Sequence, residues 1–270
     1  VGAPMLLDND GDAVFIFTPK RKNHAFHLYQ RYLADETGRG AVWHFSSWDN
    51  PYLSQQALKD VMQDMTEAEY QQEIMAEFLE NEGAVFRNID ACMKAPLNVK
   101  PEDHEGHVIV AGLDWGKDVD YTAMSIGCRT CKVEIARDRF KEIDYHFQRK
   151  RVEAMVKKWG VRQILVELNS IGTPNFEELK RSGLPAYGFM TTYGSKRDLI
   201  ENMALDFEKE VWQYQDDKIW RGEIETFEQK VNQVTNNSTY SAPAGLHDDT
   251  VIARALMRRM GSGLYWLVSS

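Results

Sequence analysis

The sequence predicts an α/β protein: a mixed sheet in the order βββαβαβα flanked by helices, preceded by a smaller α/β segment. Three observations carry this reading. A continuous apolar run, residues 108–113, stops at Asp114, as a central strand buried on both faces does. Two β-patterned runs, 121–128 and 133–140, follow closely enough to form a meander with it. Helical and strand periods then alternate, the pattern that places parallel strands side by side through crossovers.

Composition sets the frame. With 270 residues, 43% hydrophobic and 27% charged, the chain is long and apolar enough to bury its own core, which excludes the disordered class. No apolar run approaches the ~20 residues that span a bilayer, and the start carries no signal-peptide pattern, so neither a membrane nor secretion is expected. Three cysteines suit a reducing compartment. The chain begins at Val1 and reads as a fragment. The net charge of −9 resides entirely in residues 1–105; residues 106–270 hold 23 acidic and 23 basic side chains. Residues 129–151 carry eight basic groups against four acidic ones, a candidate phosphate-facing patch if they share a surface.

In chain order, the first segment reads as a strand over 13–18, a helix over 23–35, a strand over 42–46 and helices over 54–63 and 66–79. Thr66 and Glu69 have capping-box spacing at the last of these. A proline-bracketed polar stretch, Ala95 to Pro101, reads as a linker, dividing the chain into 1–95 and 96–270. Beyond the meander come a helix over 152–159, a strand over 163–168, a helix over 176–181 and a strand over 186–190. A long helix capped by Ser195 runs to 212, and a final one spans 247–260.

This order decides where the carboxylates fall. Asp114 ends the first strand of the second part, Glu167 lies near the end of the strand after the crossover, and Asp248-Asp249 opens the last helix. Ligands of open α/β sheets bind beyond the carboxyl ends of the strands, where parallel neighbours would set Asp114 and Glu167 side by side. Carboxylates converging there repel one another, and a divalent cation relieves the conflict. An all-oxygen ligand set favours Mg²⁺ or Mn²⁺, and two such ions suit in-line displacement at phosphorus. A lone Asp after a strand more often caps a turn, and an Asp pair at a helix start more often serves the helix dipole. The weight lies in the three positions together.

The segments Gly112-Leu113-Asp114-Trp115-Gly116, Asp120 to Ala123, Asp138-Arg139-Phe140, Glu167 to Gly172 and Ser241 to Asp249 resemble the large terminase subunit of tailed bacteriophages. The resemblance implies a ribonuclease H-like nuclease domain over 96–270, with Asp114, Glu167, Asp248 and Asp249 as catalytic and metal-binding acids for two Mg²⁺ or Mn²⁺ ions. It also implies Arg139, Lys196, Arg197 and His247 as candidate DNA contacts. In the first segment, Ile16 to Lys20, Ser47 to Tyr52 and Glu73 to Phe86 are similar to the end of the terminase ATPase domain, with Thr18 in the segment that couples hydrolysis to motion. Arg21 stands where that family usually has glycine. No Gly-x-x-x-x-Gly-Lys-Ser/Thr loop occurs, so no autonomous ATPase is expected and the chain reads as a terminase without its upstream nucleotide-binding half. The implied function is endonucleolytic cutting of concatemeric double-stranded DNA during viral genome packaging. The implied partners are the portal protein and the small terminase subunit, in an oligomeric motor in the host cytoplasm.

Other signals lead elsewhere. Cys128-Arg129-Thr130-Cys131 has zinc-knuckle spacing, but no second cysteine pair exists and Cys92 is remote, so zinc is not expected. His24 with His27, and His104 with His107, read as ordinary side chains. Trp159, Trp212 and Trp220 read as packing residues. Asp114-Trp115-Gly116 also resembles the phosphate turn of sugar kinases and actin-like ATPases, but the second glycine-rich turn of a phosphotransferase is missing. Transposases and junction resolvases use similar acids but lack the first-segment matches. A non-catalytic portal-docking module is the remaining alternative.

Overall fold

The computed structural model describes residues 12–19, 24–38, 40–78, 85–116, 120–141, 144–169, 172–231, 238–243 and 245–262. The chain forms two compact units, Val1–Glu82 and Gly83–Ser270. The stretch 83–95, grouped with the first segment by sequence, thus falls in the second unit. The reason is burial: Phe86, Cys92 and Met93 pack into its core, while the Tyr214 amide donates to Cys92 O at 2.7 Å and the Ala95 amide to Tyr214 O at 3.0 Å.

In the first unit, helix α1 spans His24–Leu33 and α2 spans Gln55–Met62, with Ser54 Oγ accepting from the Ala57 amide. The capping box forms as read: the Glu69 amide donates to Thr66 Oγ1 at 3.2 Å, and the Glu69 carboxylate accepts from the Thr66 amide at 2.7 Å. Its helix, α3 (Glu67–Glu69), passes into a wide π turn, Tyr70–Ile74, and stops short of residue 79. Residues 13–18 and 42–46, read as strands, are not strands here. No partner strand pairs with either among the described residues, so Val14 and Ile16 remain exposed. Phe26 and Tyr29 pack around Phe78 instead.

The second unit holds one short helix, α4 (Ile89–Cys92), and then a five-stranded sheet. Its strands are β1 (Ile109–Asp114), β2 (Thr122–Cys128), β3 (Val133–Phe140), β4 (Gln163–Glu167) and β5 (Ala186–Phe189), in the spatial order β3-β2-β1-β4-β5. β1, β2 and β3 are antiparallel neighbours, and β4 and β5 continue parallel to β1. Every residue of β1 is buried, as the unbroken apolar run requires. The crossover helix α5 (Tyr145–Trp159) starts seven residues earlier than the periodicity indicated, because Asp144 caps it by accepting from the His146 amide. Helix α6 is Gly172–Arg181. Helix α7 (Tyr193–Glu208) is capped by Thr192, whose Oγ1 accepts from the Ser195 amide; Ser195 Oγ instead donates to Met190 O at 2.9 Å. It ends before Trp212, which packs in the core. Helix α8 (Lys218–Thr226) and the hairpin β6 (Glu228–Val231) with β7 (Ser238–Ser241) had no counterpart in the sequence reading.

The last helix, α9 (Asp249–Ser262), is buried along nearly its whole length and packs on β1, β2 and β4. Gly112 makes this approach possible: a Cβ there would collide with Ala253 O, the Met257 amide and Leu256 Cβ. Inside this layer Arg254 and Glu134 form an ion pair with neither side chain exposed. Arg254 Nη2 donates to Glu134 Oε2 and to Gln215 O, both at 2.8 Å. Glu134 also accepts from Ser125 Oγ at 2.6 Å and the Gln215 amide at 2.9 Å. Desolvating two charges is costly, and this full set of partners offsets it. Replacing only Arg254 by leucine strands a buried carboxylate, with an expected loss of about 3–5 kcal/mol. Urea unfolding checks this: the Arg254→Leu chain should be far less stable than an Arg254→Leu/Glu134→Leu chain, where no charge is left unpaired.

Candidate active site

Parallel pairing of Leu113 with Val166 brings the next residues of both strands, Asp114 and Glu167, to the same edge of the sheet. There the buried Asp114 carboxyl hydrogen-bonds Glu167. The chain leaving β4 stays close because Gly172 presents no side chain to Glu167 O. α9 arrives from the opposite side with its N-terminus at this edge. The Ile252 amide donates to Asp248 O at 3.0 Å, closing the first turn, and the Thr250 amide and Oγ1 donate to Glu223 Oε2 at 3.0 and 2.6 Å. Glu223, on the unforeseen α8, thereby seats the helix start that carries Asp248 and Asp249.

The electrostatics follow from this crowding. Burial, the hydrogen bond to Glu167 and the charges of Glu167, Asp249 and Asp248 push the Asp114 carboxyl well above the usual carboxylate range. Burial is also the main cause that raises Asp249 to about 7; Glu223, Asp120 and Asp248 add to it, and a hydrogen bond from the Tyr121 amide opposes it. That bond reaches Asp249 Oδ2 at 3.2 Å. Asp248 has found a cation, Lys196 Nζ at 3.2 Å. The donor set is entirely oxygen and carries more negative charge than its surroundings neutralise, which suits a hard divalent cation.

The four cationic candidates separate. Lys196, in the first turns of α7, lies in the site through Asp248. His247 stacks edge-on against Tyr121, with Nδ1 3.8 Å from both Asp120 Oδ1 and Asp249 Oδ2. Arg197, half exposed, pairs with Asp198 and Glu201 on its own helix. Arg139 is drawn inward: its guanidinium lies 3.3 Å from the Tyr121 ring centroid and donates to Glu223 at 3.0 Å, with the side chain 12% exposed. Arg139, expected from the resemblance as a DNA contact, holds Glu223 in this structure. The basic stretch 129–151 is engaged similarly: Arg137 pairs with Asp217, Arg151 with Asp138 and Lys150 with Glu153, while Arg149 donates to Asn175.

No family model matches the chain. The large terminase subunit of Thermus virus P23-45 is 24% identical over 273 residues, covering 94% of this chain and 56% of that protein. The chain thus spans about half the length of the curated relatives it matches. Among solved structures, the magnesium-bound large terminase nuclease of the thermophilic phage G20c has a TM-score of 0.61 at 22% identity, covering 66% of this chain and 98% of that one. The large terminase of another thermophilic bacteriophage, in complex with ATP-gamma-S, has a TM-score of 0.60 at 16% identity, covering 94% of this chain and 64% of that one. The fold is therefore the ribonuclease H-like α/β fold of terminase nuclease domains. The resemblance to the large terminase subunit, read first from short motifs, holds across both comparisons.

The raised carboxyls set a pH dependence. The unfolded chain gives up these protons near the ordinary aspartate value of about 3.9, whereas the folded chain retains them to higher pH. Their contribution to stability is complete below that value and is lost as pH rises through about 7 for Asp249. In chelator, unfolding free energy should fall between pH 5 and pH 8, and Asp249→Asn should flatten the fall. Denaturant titrations at both pH values check this; an unchanged slope would contradict it.

Proposed function

We propose that this chain is the nuclease-bearing part of a viral DNA-packaging large terminase subunit and hydrolyses phosphodiester bonds of concatemeric double-stranded DNA. The observation that carries this reading is the convergence of Asp114, Glu167, Asp248 and Asp249 at the carboxyl ends of β1 and β4. The first unit corresponds in this reading to the end of the ATPase domain and the second to the nuclease. No phosphate-loop motif lies within the 270 residues, so ATP turnover is not assigned to them.

Asp114, Glu167 and the Asp248–Asp249 pair would hold two divalent cations, Mg²⁺ or Mn²⁺. When bound, the ions supply charge neutralisation at the reacting phosphate and acidify the attacking water. The chain's own groups prepare that site. The Tyr121 amide fixes one oxygen of Asp249, Lys196 Nζ holds Asp248, and His247 lies against the outer edge of both Asp120 and Asp249. In this reading Lys196 and Arg197, at the start of α7, would exchange their present carboxylate partners for a phosphodiester backbone. Balanced charge in residues 106–270 implies weak, salt-sensitive DNA affinity. Assembly on the portal with the small terminase subunit, as an oligomer in the host cytoplasm, would raise it by avidity.

Supercoiled plasmid incubated with the chain and Mn²⁺ or Mg²⁺ should be nicked and linearised, and chelator should stop it. Loss of a ligand removes several kcal/mol of transition-state stabilisation. Asp114→Asn and Glu167→Gln, if folded by circular dichroism, should therefore cut more than about a hundredfold more slowly. Intact plasmid after incubation with folded wild type at low salt and either metal would remove the autonomous-nuclease reading.

A further inference from the structure

We propose a second metal centre: His104, His107, Cys128 and Cys131 form a closed tetrahedral site for zinc, at the end of β1 opposite the carboxylates. Along the sequence, neither His104 and His107 nor Cys128 and Cys131 have a second ligand pair nearby. The fold supplies it, since antiparallel pairing of Ile109 with Cys128 brings the entry to β1 alongside the exit from β2.

Each pair is preshaped locally. His104 ends the 3₁₀ turn Pro101–His104, Gly106 at φ +78° reverses the chain, and the His107 amide donates to His104 O at 3.0 Å. In the β2–β3 turn the Cys131 amide points at Cys128 Sγ at 3.4 Å and the Lys132 amide donates to Cys128 O at 2.8 Å. Lys132 adopts a left-handed φ of +59° to close that turn, a conformation that a residue with a side chain seldom takes. The two loops are clamped together by the Arg129 amide on Val108 O at 2.8 Å and the Val108 amide on Thr130 Oγ1 at 3.2 Å.

The four ligand atoms all lie within 4.8 Å of one another. Nδ1 of His107 is 3.5 Å from Cys128 Sγ and 3.3 Å from Cys131 Sγ, and Nδ1 of His104 is 3.7 Å from Cys131 Sγ. Zinc bonds of about 2.3 Å to sulfur and about 2.05 Å to nitrogen at tetrahedral angles demand sulfur–nitrogen separations near 3.5 Å. The observed distances bracket that value. Thiolates and imidazoles select zinc over the hard cations that suit the carboxylate site. Four protein ligands leave no open position, so the site is structural. It staples the segment entering β1 to the β2–β3 hairpin. Across the six residues of β1 it lies about 20 Å from Asp114.

The test uses the full 270-residue chain, purified without an affinity tag under anaerobic, reducing conditions. One zinc per chain should survive gel filtration and be released by a mercurial thiol reagent into a chromogenic chelator. Cobalt exchanged for zinc should give intense visible bands and a near-ultraviolet thiolate-to-cobalt charge-transfer band, which no carboxylate site can produce. Cys128→Ser and Cys131→Ser should each abolish the charge-transfer band or halve it, while Asp114→Asn should leave it unchanged. If the serine variants do not fold, mercurial release from wild type still decides. Folded, fully reduced wild type that retains no zinc and shows no charge-transfer band with cobalt overturns the proposal, as does a Cys128–Cys131 disulfide in the freshly isolated chain.

Discussion

The seating of α9 directly on β1 is the contact on which the rest of the second unit depends. Gly112 allows it, because any side chain there would press into the helix backbone at Ala253 and Met257. Without this approach the N-terminus of α9 would not reach the strand ends, and Asp248 and Asp249 would not face Asp114 and Glu167. Gly172 plays the corresponding part on the other flank, leaving room for Glu167 O as the chain turns from β4 into α6. Two residues without side chains therefore let α9 and the exit from β4 lie close to the strand end that carries Asp114.

Holding those carboxylates together opposes their mutual repulsion, and the surroundings show how the fold withstands it. Polar groups grip the aspartates, the Tyr121 amide on Asp249 and Lys196 on Asp248, while Glu223, itself a like charge to Asp249, accepts from the first-turn amide of Thr250 and so seats α9. One turn deeper, Arg254 ties α9 to β3 through Glu134, with its guanidinium between Tyr214 and Trp220. The charge left unneutralised at the rim is what makes a divalent cation a natural occupant. Arg139 belongs to this framework, since it neutralises Glu223 rather than facing outward.

The same sheet carries two different sets of donor side chains at its opposite ends. Hard oxygen donors gather where β1 and β4 end, and soft sulfur and imidazole donors gather where β1 begins and β2 ends. One short strand thus links the two donor sets; in the readings proposed above, the carboxylates would take a hard divalent cation and the thiolate and imidazole set would take zinc.

Some of this was written locally in the chain. The apolar run ending at Asp114, the meander, the crossover to Glu167 and the Thr66–Glu69 capping box each depend on neighbours a few residues away, and each was legible in the sequence. So was the placement of Asp114, Glu167 and Asp249 at strand ends and a helix start, because those are local signals. What was missed depends on distant partners. Residues 13–18 and 42–46 have strand-like patterns, but a strand exists only where another pairs with it. Arg139 carries the same charge inside or outside, and only Glu223 and Tyr121, from other elements, drew it in. The His and Cys pairs are each ordinary alone, and only the register of β1 on β2 sets them together. The sequence by itself determined the five strands of the central sheet and the acids at their ends; tertiary packing decided which other segments became strands, which charges were paired with one another and which side chains converged, because those outcomes rest on contacts across tens of residues that no local pattern records.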